Sequence, residues 1–160
     1  MVKYKQFLFT KKYMEQLEKF FEDLFLKKIT YQLPVKAKEV IVQIAPWVTL
    51  VILVVSLPAV LGLFGFGSMF VGTGAYFGIR FGTRYYIGLI ILLVQLIMMA
   101  LSISPLLKRQ IKGWKLVYYS NLISFIYALF SAYTLGSVIW ALISLGIGMY
   151  IIFQVKSHYK

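Results

Sequence analysis

The sequence predicts an all-α integral membrane protein: a bundle of four transmembrane helices preceded by a cytoplasmic amphipathic helix. Composition is the first reason. Of 160 residues, 61% are apolar and only 14% charged, with a mean hydropathy of +0.82, whereas a soluble domain carries roughly a quarter charged residues. The second is the run from 40 to 79, which has no acid, no base and a single amide, Gln43. The third is length, because four apolar segments, approximately 40–62, 85–107, 114–134 and 137–155, each reach the ~20 helical residues that cross a hydrocarbon core of roughly 30 Å. Disorder and a disulfide scaffold are excluded by the same composition. The chain has no cysteine, which also removes thiol catalysis and thiolate metal sites.

Residues 1–39 form the leading segment. Its first apolar run, Phe7 to Phe9, is short and flanked by lysines, so no secretory signal is expected there and the segment should stay attached. Residues 11–33 read as one helix, with Thr10 as N-cap, Pro34 as stop, and Met14, Leu17, Phe20, Phe21, Leu24 and Phe25 recurring at three- and four-residue intervals. On the opposite side Lys11, Glu15, Lys19, Asp23 and Lys27 alternate in sign every fourth residue, a spacing suited to solvated ion pairs. Such a helix packs on its own domain or lies in the headgroup layer. A partner-docking helix is the alternative, although fewer than three clean heptads are present.

Residues 40–160 form the transmembrane domain. Pro58 should kink the first span, which neighbouring helices in a membrane tolerate. Ser104-Pro105 and the basic run Lys108 to Gly113 separate the second span from the third. Only Tyr133 to Ser137 separates the third from the fourth, so these last two should form a tight antiparallel hairpin.

Charge placement sets the orientation. All five acids lie in the first 39 residues, and the rest of the chain carries eight Lys or Arg residues and His158. With the N-terminus inside, the leading segment contributes nine cations to the cytoplasmic side, the 108–115 loop four and the C-terminus two, fifteen against Arg80 and Arg84 outside. The expectation is therefore a multi-pass protein of the cell membrane with both termini cytoplasmic. Lys108, Arg109, Lys112 and Lys115, together with Arg80 and Arg84, are the candidate contacts for anionic lipid headgroups. Beside so much apolar sequence, lipid accounts for the basic excess better than nucleic acid, which is not expected as a partner.

The stretch 63–84 is rich in glycine and aromatic residues and reads as an interfacial or re-entrant element on the outer side. A short extra span over 63–79 is the alternative, and it would disturb the consistent charge bias. No Gly-Lys-Ser/Thr follows Gly65 and Gly67, so a phosphate loop is not indicated. Gly74, Gly78 and Gly82 form a smooth strip if helical. Small residues recur in the last hairpin too, at Ser120, Ser124, Ala128, Ala132 and Gly136, and at Ser137, Ala141, Ser144 and Gly148. These stripes are expected to let the third and fourth spans pack on each other, with homo-oligomer formation as the sharper alternative.

Within the membrane the polar inventory is thin. Gln95 lies near the middle of the second span, with Ser124 and Ser144 at similar depth and Asn121 a turn away. Hydrogen-bonded glue between helices is the simpler role for them, and a narrow polar pathway the alternative. No carboxylate or histidine sits at that depth, which argues against proton-coupled transport. The same inventory gives no paired carboxylates after residue 39, no metal set and no activated serine, so neither an enzyme nor a cofactor is expected. Trp114, Tyr118 and Tyr119, Tyr85 and Tyr86, and Tyr150, Phe153 and Tyr159 read as interfacial belts, while the deeper Trp47 and Trp140 read as packing residues. The resulting expectation is a non-enzymatic interaction or scaffold protein with a basic, lipid-facing cytoplasmic surface and a homo-oligomeric or membrane-protein partner; an oligomeric channel or passive transporter is the alternative.

Overall fold

The computed structural model describes residues 13–29, 31–74 and 79–160, and among them every regular element is helical. Helix α1 spans 13–22 and widens into a π turn at Asp23–Lys28. An extended link leads to α2 (Val35–Gly74), then α3 (Ile79–Leu107), α4 (Ile111–Ser131) and α5 (Leu135–Val155), with a final 3-10 turn at Lys156–His158. The four long helices alternate in direction. Helix α3 packs on α2 and α4, α4 on α5, and α2 also meets α5.

Among the described residues, three stretches are long and apolar enough to cross a membrane: Val35–Gly62, Tyr86–Leu107 and Leu135–His158. The expected span at 114–134 corresponds to α4, which has the length but is not among them. Tyr118, Tyr119, Ser120, Asn121 and Ser124 lower its hydropathy. Helix α4 has α3 on one side and α5 on the other, and its Ser124 and Trp114 hydrogen-bond to these two neighbours.

Helix α2 also departs from expectation. It runs through Pro46, Pro58 and Gly62 to Gly74, a length of about 60 Å at 1.5 Å per residue. No turn occurs at Gly62 on which a re-entrant loop or a separate span could begin, so the described part of 63–84 extends α2 and opens α3. The surroundings of Gly74, Arg80, Gly82 and Arg84, and Gly78 altogether, lie outside the described residues.

The core sits at one end of the bundle, where the α3–α4 turn, the C-terminus and the leading segment converge. Trp114 and Tyr118 of α4 stack with ring centroids 5.4 Å apart, and Phe153 of α5 meets both edge-on. Phe25 stacks on Phe153 from the leading segment, and Val42, Leu106 and Met149 complete the cluster. Lys108, Arg109, Lys112, Lys115 and Lys156 lie at this same end, the basic end of the molecule. Tryptophan placement reverses the sequence expectation: Trp114 is 2% exposed and central to the core, whereas Trp47 and Trp140 are 62% and 72% exposed. The reason is the hairpin partner: Phe153 and Lys156 at the end of α5, with Tyr118 of α4, close around the Trp114 ring.

Close packing at the basic end is written into the α3–α4 turn. Arg109 occupies the left-handed region (φ 52°), with its N–H bonded to Leu106 and the next N–H, of Gln110, to Pro105 at 2.8 Å. This is the Schellman closure that usually has glycine at that position. Gly113 then brings α4 against the end of α3, because a Cβ there would lie 2.7 Å from the Leu106 nitrogen. Lys160 ties the C-terminus to the same turn, donating to the Arg109 carbonyl at 2.9 Å while its own carbonyl accepts from Ile111 at 2.6 Å.

Candidate functional site

The basic end is also where the charges gather, and four of the five acids, Glu18, Glu22, Asp23 and Glu39, are paired there. Lys156, at the end of α5, reaches Glu18 at 2.9 Å and Glu22 at 2.6 Å, with its ammonium 5.2 Å from the centre of the Trp114 ring. Glu39 of α2 accepts from Arg109 at 2.5 Å and lies 3.8 Å from His158 Nε2, linking α2, the α3–α4 turn and the C-terminus. Asp23 pairs with Lys27 at 2.6 Å on an exposed face and holds that ammonium above its ordinary range, chiefly by the hydrogen bond. Burial pushes the Tyr159 phenol up, so it stays uncharged.

Lys108, Lys112 and Lys115 remain. All three are exposed, and among the described residues none has an acidic partner. The four-cation cluster expected from sequence is thus divided: three lysines face outward, and Arg109 serves as a structural clamp on Glu39. The clamp could not be read from spacing, since Glu39 and Arg109 lie 70 residues apart.

The leading segment is fixed to this end by its aromatic side chains and by hydrogen bonds. Phe21, Leu24 and Phe25 turn to the core, and Phe20 is exposed. Tyr150 donates to the Tyr31 carbonyl at 3.0 Å, and Gln154 accepts from the Leu33 N–H at 3.4 Å. Tyr118 Oη and Gln154 Nε2 are buried without a partner among the described residues.

A second constellation lies within the helical body. The Gln95 amide donates to Ser124 Oγ, joining α3 to α4. Beside this pair, a cavity of about 250 Å³ is lined by Thr49 of α2, Ser102 with Met98 and Met99 of α3, and Ser120, Asn121 and Ser124 of α4. Asn121 also abuts α5, where a Cβ on Gly148 would come within 2.5 Å of its Nδ2. Gly88 admits the Tyr127 hydroxyl in the same way, a contact the sequence did not single out.

The small-residue stripe on α4 therefore serves two neighbours. A spacing of four residues drifts by about 40° per step on a helix of 3.6 residues per turn. Its members on α4, Ser120, Ser124 and Ala128, rotate by about 80° over two steps, because α4 ends at Ser131 and Gly136 already belongs to α5. Ser124 meets α3, while Trp114, Tyr118 and Asn121 meet α5, and Ala128 continues the register of this second set; Ala132 is the extended C-cap beyond the helix. On α5, Ala141 is buried, but Ser144 is exposed. Gly136 has only Thr134 Oγ1 nearby, at 3.9 Å, and Ser137 belongs to a capping box with Thr134. Packing roles expected for Gly136 and Ser144 are thus corrected: one lies at a helix start with no helix against it, and the other faces outward.

Among the described residues no group of three or more His, Asp or Glu side chains is placed to hold a metal ion. No protein-family model matches the chain, no curated protein matches it in sequence, and no solved structure matches it.

Proposed function

We propose that this chain is a four-span membrane protein, with both termini on the cytoplasmic side, that acts by binding and not by catalysis. Its working surface is the basic end, where anionic lipid headgroups engage Lys108, Lys112 and Lys115 and the amphipathic leading helix sits beside them as a docked platform for a membrane-protein partner. The observation that carries this reading is the division of charge: four of the five acids, Glu18, Glu22, Asp23 and Glu39, are held by Lys156, Lys27 and Arg109, and the three loop lysines remain exposed without an acidic partner among the described residues. The excess of fifteen cations over two on the assigned cytoplasmic side supports the orientation. Helix α4 supplies the fourth span, shielded by its two neighbours.

Each lysine near an anionic leaflet contributes about 1 kcal/mol. Replacing Lys108, Lys112 and Lys115 together by glutamine should therefore weaken retention of anionic phospholipid by up to roughly a hundredfold, measured by native mass spectrometry or by competition in nanodiscs of graded phosphatidylglycerol content. Arg109→Gln is the matched control. It should leave lipid retention nearly intact and lower stability, because Arg109 already has Glu39. Unchanged lipid retention in the triple variant would overturn the proposal.

A further inference from the structure

We propose that the cavity between α2, α3 and α4 is a binding site for one small neutral molecule carrying adjacent hydroxyl groups, either a free polyol or the glycerol end of an uncharged lipid. This goes beyond the headgroup-binding surface and does not depend on it.

The size comes first. A volume of about 250 Å³ is just below the usual range of small-molecule pockets and corresponds to about eight waters at roughly 30 Å³ each. Charge comes next: the lining holds no ionisable side chain, and an ion moved there from water would lose its hydration without a counter-charge. The ligand is therefore neutral.

Hydrogen-bond capacity then sets its chemistry. The Thr49 hydroxyl donates to the Ala45 carbonyl at 2.8 Å, and the Ser102 hydroxyl to that of Met99 at 2.8 Å. With their hydrogens committed to their own helices, both present oxygen lone pairs to the cavity. Ser102 is only 1% exposed, so its free acceptor faces no bulk solvent. Across the cavity, Ser124 accepts from Gln95 and keeps its own hydrogen to donate. Among the described residues, Ser120 and the Asn121 amide have no hydrogen-bond partner. Acceptors thus lie on α2 and α3, while α4 offers the Ser124 hydrogen and the Ser120 hydroxyl, which donates or accepts; the Asn121 Nδ2 lies instead against Gly148 of α5. A hydroxyl group donates and accepts at once, and two adjacent hydroxyls satisfy both walls together. Met98, Met99 and Ile52 provide the apolar contact that a carbon backbone needs.

The purified protein in phospholipid nanodiscs tests this with two probes, free erythritol followed by saturation-transfer NMR and dioleoylglycerol followed by native mass spectrometry. Wild type should take up one equivalent of at least one probe. Ser120→Leu, which fills the cavity, and Ser102→Ala, which removes the shielded acceptor, should each weaken that uptake at least tenfold. Ser144→Leu, at an exposed position on α5, should leave it unchanged, as should neutralisation of Lys108, Lys112 and Lys115. Helical content by circular dichroism checks that each variant folds. Uptake of erythritol alone assigns the site to a free polyol, and of dioleoylglycerol alone to a lipid. Binding of neither, or equal binding in wild type and both cavity variants, overturns the proposal and leaves the cavity to water.

Discussion

Trp114 and Trp140 stand at opposite ends of the α4–α5 hairpin and meet opposite surroundings. The Trp114 indole N–H donates to the Ile152 carbonyl at 2.7 Å, its ring stacks on Tyr118, and the Lys156 ammonium lies over it. Trp140 is 72% exposed, among neighbours such as Leu135, Ile139 and Ile143 that are exposed too. The basic end is cross-linked between distant parts of the chain: Lys156 to Glu18 and Glu22, Arg109 to Glu39, Gln154 to Leu33 and Lys160 to the α3–α4 turn. At the far end of the hairpin, the bonds of Thr134 and Ser137 are local, made with each other. The difference follows from the solvent. Lipid already satisfies an apolar surface, so a side chain facing it gains little by being covered, whereas polar groups and aromatic edges near the water boundary are stabilised by partners within the protein.

The largest expected effect tests this contrast directly. Trp114→Ala removes a buried ring, leaves a cavity and orphans the Ile152 carbonyl, and should cost about 3–5 kcal/mol. Trp140→Ala should cost less than about 1 kcal/mol, as for other exposed positions. Reversible unfolding in mixed micelles gives both values. Equal losses would mean that the two ends are held alike.

A smaller effect sharpens the comparison within the body of the bundle. Gly148 lies against Asn121, so Gly148→Leu should force α4 and α5 apart at a cost of about 1–3 kcal/mol. Leu142 is half-exposed on α5, and truncating it to alanine should cost less than that in the same unfolding assay. If the order is reversed, the α4–α5 contact is not the one that limits stability.

How much of this was legible in the sequence varies by element. Apolar runs placed the three stretches that cross a membrane by length and composition, because burial in lipid is a property of whole windows of residues. Gly62 looked like a helix end and is not one. Glycine disfavours a helix by about 1 kcal/mol in water, a penalty too small to stop α2 in an apolar run. Gln95 and Ser124 were visible as polar residues at one depth, but their hydrogen bond depends on the relative rotation of two helices, which spacing alone does not fix. The role of Trp114 was hidden for a related reason: its ring is enclosed by Phe153 and Lys156 of the following helix, which in turn hold Phe25, Glu18 and Glu22 of the leading segment, and spacing shows none of these contacts.

The smallest effect belongs to the far end, and it asks whether local bonds there act alone. Thr134 caps α5: its Oγ1 accepts from the Ser137 N–H at 3.3 Å, and Ser137 Oγ donates back to the Thr134 carbonyl at 2.7 Å. Both residues are exposed, and neither hydroxyl reaches another helix. Thr134→Ala should therefore cost about 1 kcal/mol, the usual value of an N-cap, and Thr134→Ser should stay within a few tenths of wild type. Because the bonds are reciprocal, Ser137→Ala added to Thr134→Ala should cost less than the sum of the two single changes. Neither change should alter the loss caused by Trp114→Ala, since the two ends share no partner. A coupling above about 0.5 kcal/mol between Thr134→Ala and Trp114→Ala would show that the hairpin transmits the state of one end to the other, and the separation of the molecule into a cross-linked end and a lipid-supported body would fail.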